Sequence, residues 1–398
     1  MSSLAITNAR LLSPGEPERR VTLVTEGGRI AQVRGDGAGT PAGAEVLNAG
    51  GGYVAPGFID VHVHGGAGSD FMDGTPEAVR AICRFHASGG TTGLLATTAA
   101  APAGELHQVM EVVAGVQKHG IGGAAILGVH MEGPYFAPSK CGCRLPDQVR
   151  PPRATEYLPL LDAHPGLVRW MTLAPEVEGA FDLIRALTER GAVASAGHTA
   201  ADEALLLAAI DVGLRHATHL YNAMSTITKR GPYRVPGLVE TALSDDRMTA
   251  EVIADGFHLA PALLKIAARA KGAERLLLVT DAMRGAGMPD GTYTFGSLNG
   301  TAAIVENGVA RTPDNTGFAS GTARGCDLVR NMVRLAGCEL TDAVRMASTT
   351  PAEALGLGER KGRVREGYDA DLVVLDEALT VRATIVAGDV VYPVKASS

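Results

Sequence analysis

Six ionisable residues stand at the same kind of place in this chain, the end of an apolar, β-like run. His62 and His64 close the stretch Phe58-Ile59-Asp60-Val61-His62-Val63-His64-Gly65. Residues two apart on a strand face the same way, so both imidazoles aim together just before a glycine turn. The run from Ala125 to Met131 leads into Glu132-Gly133-Pro134. Ser195-Ala196-Gly197 leads into His198, and Thr218 into His219-Leu220-Tyr221-Asn222-Ala223-Met224. Leu276-Leu277-Leu278-Val279-Thr280 ends in Asp281, and a further run ends in Asp255-Gly256-Phe257-His258. Imidazole nitrogens mixed with carboxylate oxygens suit zinc, iron(II) or another divalent first-row ion. Six donors exceed the need of one tetrahedral ion, so two ions bridged by a carboxylate fit as well as one. A lone His-x-His or Glu-Gly-Pro is usually a turn; the specific signal is the joint placement. His130 and His216 lie inside strands and read as core histidines. His86, His107, His119 and His164 fall in helices or loops away from these ends and read as surface or packing. Cys141-Gly142-Cys143 reads as small loop residues rather than a soft-metal site.

The elements that must hold these residues follow a regular alternation. Strands are predicted at 57–64, 93–98, 124–131, 167–174, 192–197, 216–220, 248–254 and 275–280. Helices are predicted between them, near 76–88, 104–118, 154–162, 179–190, 201–212, 236–244 and 260–271. Eight strands alternating with helices predict parallel pairing and a closed (β/α)8 TIM-like barrel, in which strand ends carry the function. An open doubly wound sheet is the rival, but no Gly-x-Gly-x-x-Gly joins the first strand to its helix. A turn-rich excursion follows Asp281, with strands at 292–295 and 301–305, and helices return near 322–336 and 340–347. Both ends of the chain are strand-like, at 4–6, 21–24, 29–33 and near Val46, then at 370–375, 381–386 and 390–392. A small β-sandwich domain built from residues 1–54 and 356–398, around a metal-dependent barrel at 55–355, would bury those strand faces mutually.

The 398 residues, 46% hydrophobic and 20% charged with 50 glycines, describe a loop-rich globular enzyme. A net charge of -7 without a basic cluster argues against nucleic acid and leaves room for a locally held anionic metabolite. Five cysteines without a Cys-x-x-Cys pattern suit a reducing compartment. No apolar run approaches the ~18 residues of a membrane span. The expectation is a soluble, cytoplasmic protein with no membrane partner.

The strings Phe58 to Gly65, His130-Met131-Glu132-Gly133-Pro134, Gly197-His198-Thr199, His219-Leu220-Tyr221-Asn222-Ala223-Met224, Ala254-Asp255-Gly256-Phe257-His258 and Val279-Thr280-Asp281-Ala282-Met283 together resemble the N-acetylglucosamine-6-phosphate deacetylase family, a branch of the amidohydrolase superfamily. The resemblance spans nearly the whole chain. It implies one metal site at Glu132, His198 and His219, and a second at His62, His64 and Asp281, with zinc the first expectation and iron possible. It implies Asp281 as catalytic acid/base. It implies substrate contacts at Asn222, Ala223 and His258, a closing loop at Ala319-Ser320-Gly321, and a homodimer. A metal lowers the pKa of bound water from 15.7 to about 7, which supplies hydroxide to attack an amide. Asp281 would take the proton and pass it to the departing amine.

Two segments depart from the family pattern. Lys140-Cys141-Gly142-Cys143-Arg144 stands where relatives have Lys-Gly-Ala-His, so Arg144 occupies the place of a carbonyl-polarising histidine, with Cys143 beside it as a further candidate substrate contact. A guanidinium can stabilise an oxyanion or hold an acidic group, but it cannot exchange protons. Relatives also carry a phosphate-binding arginine in Arg-Glu-Pro-Gly, often across a dimer. Here Arg234 matches by its Pro-Gly context and Arg230 by its distance from Asn222. The expected reaction is hydrolysis of the N-acetyl group of N-acetylglucosamine 6-phosphate. The rivals are another N-acylated substrate, such as N-acetylgalactosamine 6-phosphate or an N-acyl amino acid, and a non-catalytic barrel that binds sugar phosphate.

Overall fold

The computed structural model describes residues 3–35, 37–119, 121–142 and 148–393. Eight parallel strands form the barrel: β1 (Phe58–Val63), β2 (Thr91–Thr98), β3 (Ala125–Glu132), β4 (Val168–Leu173), β5 (Val193–Ala196), β6 (Leu214–Ala217), β7 (Thr249–Val252) and β8 (Leu276–Leu278). They pair in sequence order. The ring is drawn together at its C-terminal end, where Val63 bridges Ala282 in parallel and the Asp281 amide donates to the His62 carbonyl at 2.9 Å. Asp60 adds a side-chain tie across the same seam, accepting from the Thr280 hydroxyl at 2.5 Å.

Helices α1 (Pro76–Ala87), α2 (Ala103–His119), α3 (Ala154–Ala163), α4 (Ala180–Glu189), α5 (Glu203–Asp211), α6 (Leu238–Ser244) and α7 (Pro261–Lys271) cover the barrel. Their starts follow local chemistry. Thr75 caps α1 by accepting from the Ala78 amide, with Pro76 at the first helical position, and Asp202 caps α5 through the Leu205 amide. In α4 the buried residues Ala180, Leu183, Ile184 and Leu187 recur at helical spacing and face the strands. Inside the barrel, Ile59, Val61, Leu95, Trp170, Ile253, Leu277 and Val279 form one buried cluster.

Strands from both ends of the chain form a second eight-stranded sheet. Its order runs 389–392, 381–386, 372–375, 53–56, 3–11, 20–26 and 29–35, and 45–48 pairs with 3–11. It has its own core, in which Ile6, Leu11, Leu23 and Val54 pack with Leu372, Val374 and Ile385. Neither end could bury these side chains alone, which is why the two converge. The strand Tyr53–Pro56 leaves this sheet and enters β1 with only Gly57 between them. A Cβ at Gly57 would overlap the Thr92 side chain, so no larger residue fits that crossing.

Three local features depart from the sequence expectation. Residues 228–230 and 233–235 form an exposed antiparallel hairpin. A third strand, Val309–Arg311, completes a small sheet with Gly291–Phe295 and Thr301–Glu306. The single helix expected at 322–336 is an α-helix at Gly325–Asn331 continued by a π-helical turn, Met332–Ala336.

Candidate metal centre and active site

His62, His64, Glu132, His198, His219 and Asp281 meet in one buried cluster at the C-terminal mouth of the barrel. His62 and His64 end β1, and Glu132 ends β3. His198, His219 and Asp281 sit just past β5, β6 and β8 with φ of 49°, 30° and 45°. A non-glycine residue in that left-handed region costs of order 1–3 kcal/mol, and here it turns each side chain back over the barrel axis. Glu132 is shared by two triads. Its Oε1 lies 3.1 Å from His198 Nε2 and 3.2 Å from His219 Nε2, and its Oε2 lies 3.1 Å from His64 Nε2. Asp281 Oδ1 lies 3.4 Å from His62 Nε2 and 3.3 Å from His64 Nε2.

The hydrogen bonds behind these groups set which nitrogen faces inward. His62 Nδ1 contacts Glu251 at 2.6 Å. An ionised carboxylate only accepts, so Nδ1 carries the hydrogen and Nε2 presents its lone pair in the neutral ring. His198 Nδ1 donates to the Lys140 carbonyl at 2.8 Å, which likewise leaves Nε2 as a lone pair in the neutral ring. Lone pairs from His198 and Glu132 therefore face each other at close range, an arrangement that a cation makes favourable. Both triads keep their donor atoms within 4.8 Å of one another. The donor set fits a divalent ion that accepts nitrogen and oxygen.

The electrostatics agree with that fit. Burial alone would depress the His62 pKa, yet Glu251 and Asp281 beside it outweigh burial and raise it. Burial would raise Asp281, but the imidazoles of His62, His64 and His219 hold its carboxyl far below the usual carboxylate range. The pocket thus favours positive charge, and protons and a cation compete for the same nitrogens.

Two carboxylates in the supporting layer were not among the residues singled out from sequence. Glu251, fully buried on β7, binds His62 Nδ1, accepts from the His219 amide at 2.9 Å and contacts His216 Nε2 at 3.2 Å. Its signal was a lone acid inside an otherwise apolar strand. Asp60, on β1 itself, is pushed up by burial to about 7 against the hydrogen bond from Thr280. Below the cluster, His130 contacts the Val61 carbonyl and Thr172, and a hydroxyl chain continues through Thr218 to Ser195. His130 and His216 belong to neither donor triad and are satisfied inside the barrel. His86 packs against the Gly65 carbonyl, His164 pairs with Glu111 on the outside, and His107 is half-buried on α2.

A cleft of about 390 Å3 opens over Glu132, His198, His219 and Asp281. Of the residues expected to touch substrate, Asn222, Ala223, His258 and Ser320 line it. Ser320 donates to Asp281 Oδ1 at 2.9 Å, and its neighbour Gly321 donates from its amide to the Asp281 carbonyl at 2.7 Å. Ala319, the first residue of that loop, is buried. Asp255 holds His258 by its Nδ1 at 2.8 Å, and Phe318 packs on the same ring. Arg230 and Arg234 do not line the cleft; both are exposed on the 228–235 hairpin, and Arg230 pairs with Asp202 at 3.1 Å. Cys143 and Arg144 lie outside the described residues. Cys141, just before them, is half-buried and free.

Residues 53–391 match the amidohydrolase family. The chain is 34% identical to the N-acetylglucosamine-6-phosphate deacetylase of Bacillus subtilis, over 98% of this chain and 97% of that protein. It is 37% identical to the N-acetylgalactosamine-6-phosphate deacetylase of Escherichia coli O157:H7, over 84% of this chain and 86% of that one. Among solved structures it is similar to a mutant N-acetyl-D-glucosamine-6-phosphate deacetylase from Mycobacterium smegmatis in complex with N-acetyl-D-glucosamine-6-phosphate. The TM-score is 0.88 at 36% identity, covering 98% of this chain and 99% of that chain.

Proposed function

The chain belongs to the amidohydrolase family, and from that membership we propose that it hydrolyses the N-acetyl group of N-acetylglucosamine 6-phosphate to acetate and glucosamine 6-phosphate. The observation that carries this reading is Glu132, shared by two donor triads at the floor of the cleft with Asp281 beside them. Glu132, His198 and His219 would hold one divalent cation, and His62, His64 and Asp281, with Glu132 between the two sites, would hold a second. Zinc is the proposed ion and iron(II) the other candidate. Bound there, the cation supplies Lewis acidity that ionises water near neutral pH and polarises a carbonyl.

The protein's own groups do the rest. Asp281 is ionised, faces the cleft and is oriented by the Ser320 hydroxyl, so it can accept the proton of the attacking water. It then returns that proton to the amine nitrogen, which could not leave as an anion. Asn222, Ala223 and His258 would position the sugar phosphate over this pair, and the Ala319-Ser320-Gly321 turn would exclude water. Arg144 would hold an acidic group or the oxyanion at the loop after Lys140. Arg230 or Arg234, exposed on their hairpin, would reach a phosphate bound by a partner subunit of a homodimer. The enzyme would work in the cytoplasm; no helix among the described residues is long and apolar enough to cross a membrane.

A second substrate, N-acetylgalactosamine 6-phosphate, is favoured by the 37% identity to a deacetylase of that name. A turnover screen of both N-acetylated hexosamines, with and without the 6-phosphate and alongside elemental analysis, tests the proposal. It predicts amine release that needs both the phosphate and the metal. Release without either, or no release from any of the four sugars, would refute it.

A further inference from the structure

The three-stranded sheet at residues 291–311 reaches the His/Glu/Asp cluster at Phe295. Phe295 is buried, lines the cleft and packs edge-on against the His64 ring, with centroids 4.9 Å apart and planes at 70°. Its backbone is gripped on both sides. Arg284, from the loop after β8, donates to the Thr294 carbonyl at 2.7 Å and to the Gly296 carbonyl at 2.9 Å. The same guanidinium pairs with Asp73 at 2.7 Å. Asp70, from the loop after β1, accepts from the Gly296 amide at 3.2 Å. Arg284 and Asp70 are themselves buried. A phenyl ring that merely filled a gap would not need its two flanking peptides held by buried charges from two barrel loops.

The position of the ring gives it a task. Asn222, Ala223 and His258 stand on the β6 and β7 side of the mouth, whereas Phe295 stands on the β1 side against His64. In a planar amide the nitrogen and the acyl chain leave the carbonyl carbon in different directions. With the sugar over Asn222, Ala223 and His258 and the carbonyl at the donor cluster, the acyl chain would be directed to the opposite, β1 side of the cleft, where Phe295 stands. We propose that Phe295, fastened by Arg284 and Asp70, closes the pocket that receives the acyl group and so restricts the enzyme to short N-acyl chains. The inference rests on the deacetylase reading above and adds to it the length of acyl chain accepted.

The test compares amine release from N-acetyl-, N-propionyl- and N-butyryl-glucosamine 6-phosphate by zinc-loaded protein. The variants are Phe295→Ala, Phe295→Leu and Arg284→Lys, with metal content measured for each. A closed apolar pocket discriminates by roughly tenfold or more per added methylene, so wild-type kcat/KM should fall by about a hundredfold or more across the two methylenes from acetyl to butyryl. Phe295→Ala should raise the butyryl-to-acetyl ratio by about tenfold or more, with Phe295→Leu between. Arg284→Lys, which loses the planar fork and so loosens the ring without removing it, should move the ratio the same way by a smaller factor. An unchanged ratio in Phe295→Ala, or wild-type turnover of butyryl equal to acetyl, overturns the proposal while leaving the deacetylase reading intact. Loss of metal and of all turnover in both Phe295 variants would make the ring only a cover for His64, and also overturns it. A wild type silent on the N-acetyl substrate sinks the deacetylase reading itself, and this inference with it.

Discussion

At the scale of single residues, the centre depends on groups that never touch a ligand. Glu251 is bonded to one histidine of each triad, to the ring of His62 and to the backbone of His219. Metal-ligating histidines held this way lose ~10–100-fold in metal affinity when the supporting carboxylate is altered. Glu251→Gln is therefore predicted to weaken zinc binding by that factor in a chelator competition. Affinity equal to wild type would remove Glu251 from the account. Asp281→Asn keeps the shape but cannot accept or return a proton, so kcat should fall ~10²–10⁴-fold with KM nearly unchanged in steady-state kinetics. A rise in KM at constant kcat would mean that Asp281 only binds. The six inward-facing residues were legible in the sequence because each sits where an apolar run stops, and a buried run has few reasons to end on an imidazole. Glu251 and Asp60 were not, because each lies in mid-strand, where one acid looks like an exposed position until the barrel closes around it.

At the scale of elements, the strand-and-helix alternation carried most of the information. β1 to β8 are short, almost wholly buried apolar runs that alternate regularly with the helical segments, and caps such as Thr75 and Asp202 mark where helices begin. Thr75→Ala should cost ~1 kcal/mol in denaturant unfolding, and a change near zero would deny the cap. The crossing at Gly57 is a sharper test of how the terminal sheet meets the barrel. Gly57→Ala should destabilise by ~1–3 kcal/mol, because the added methyl has no space beside Thr92. Wild-type stability there would contradict the tight passage. The 228–235 hairpin was illegible because Lys229, Arg230, Arg234 and Gly231-Pro232 read as a charged turn. Its strands are three residues each, held by backbone pairing rather than an apolar face. Arg230 and Arg234 accordingly emerged on an exposed ribbon, a placement that residue type and spacing alone do not distinguish from a cleft wall.

At the scale of the whole molecule, a cluster rich in carboxylates and imidazoles is buried where the barrel is drawn together. A ligand that binds only the folded state stabilises it by RT ln(1 + [L]/Kd), about 2.7 kcal/mol at a hundredfold excess over Kd. Chelation should therefore lower the melting temperature by several degrees, and added zinc should restore it; an unchanged melting curve would deny that the cluster holds a cation. The pairing of both chain ends in one sheet was foreseeable because neither set of strands has a core alone. Its order, with 53–56 joining the two halves, was not, since pairing partners far apart in sequence leave no local trace. The central claim is that the two triads sharing Glu132 hold the ion on which hydrolysis depends. Its most direct test is a zinc titration of chelator-treated protein with N-acetylglucosamine 6-phosphate, following amine release. The account predicts no release at the start, a rise with added metal, and saturation at one or two ions per chain, all lost in Glu132→Gln. Amine release that ignores the metal, or its absence at full loading, would contradict it.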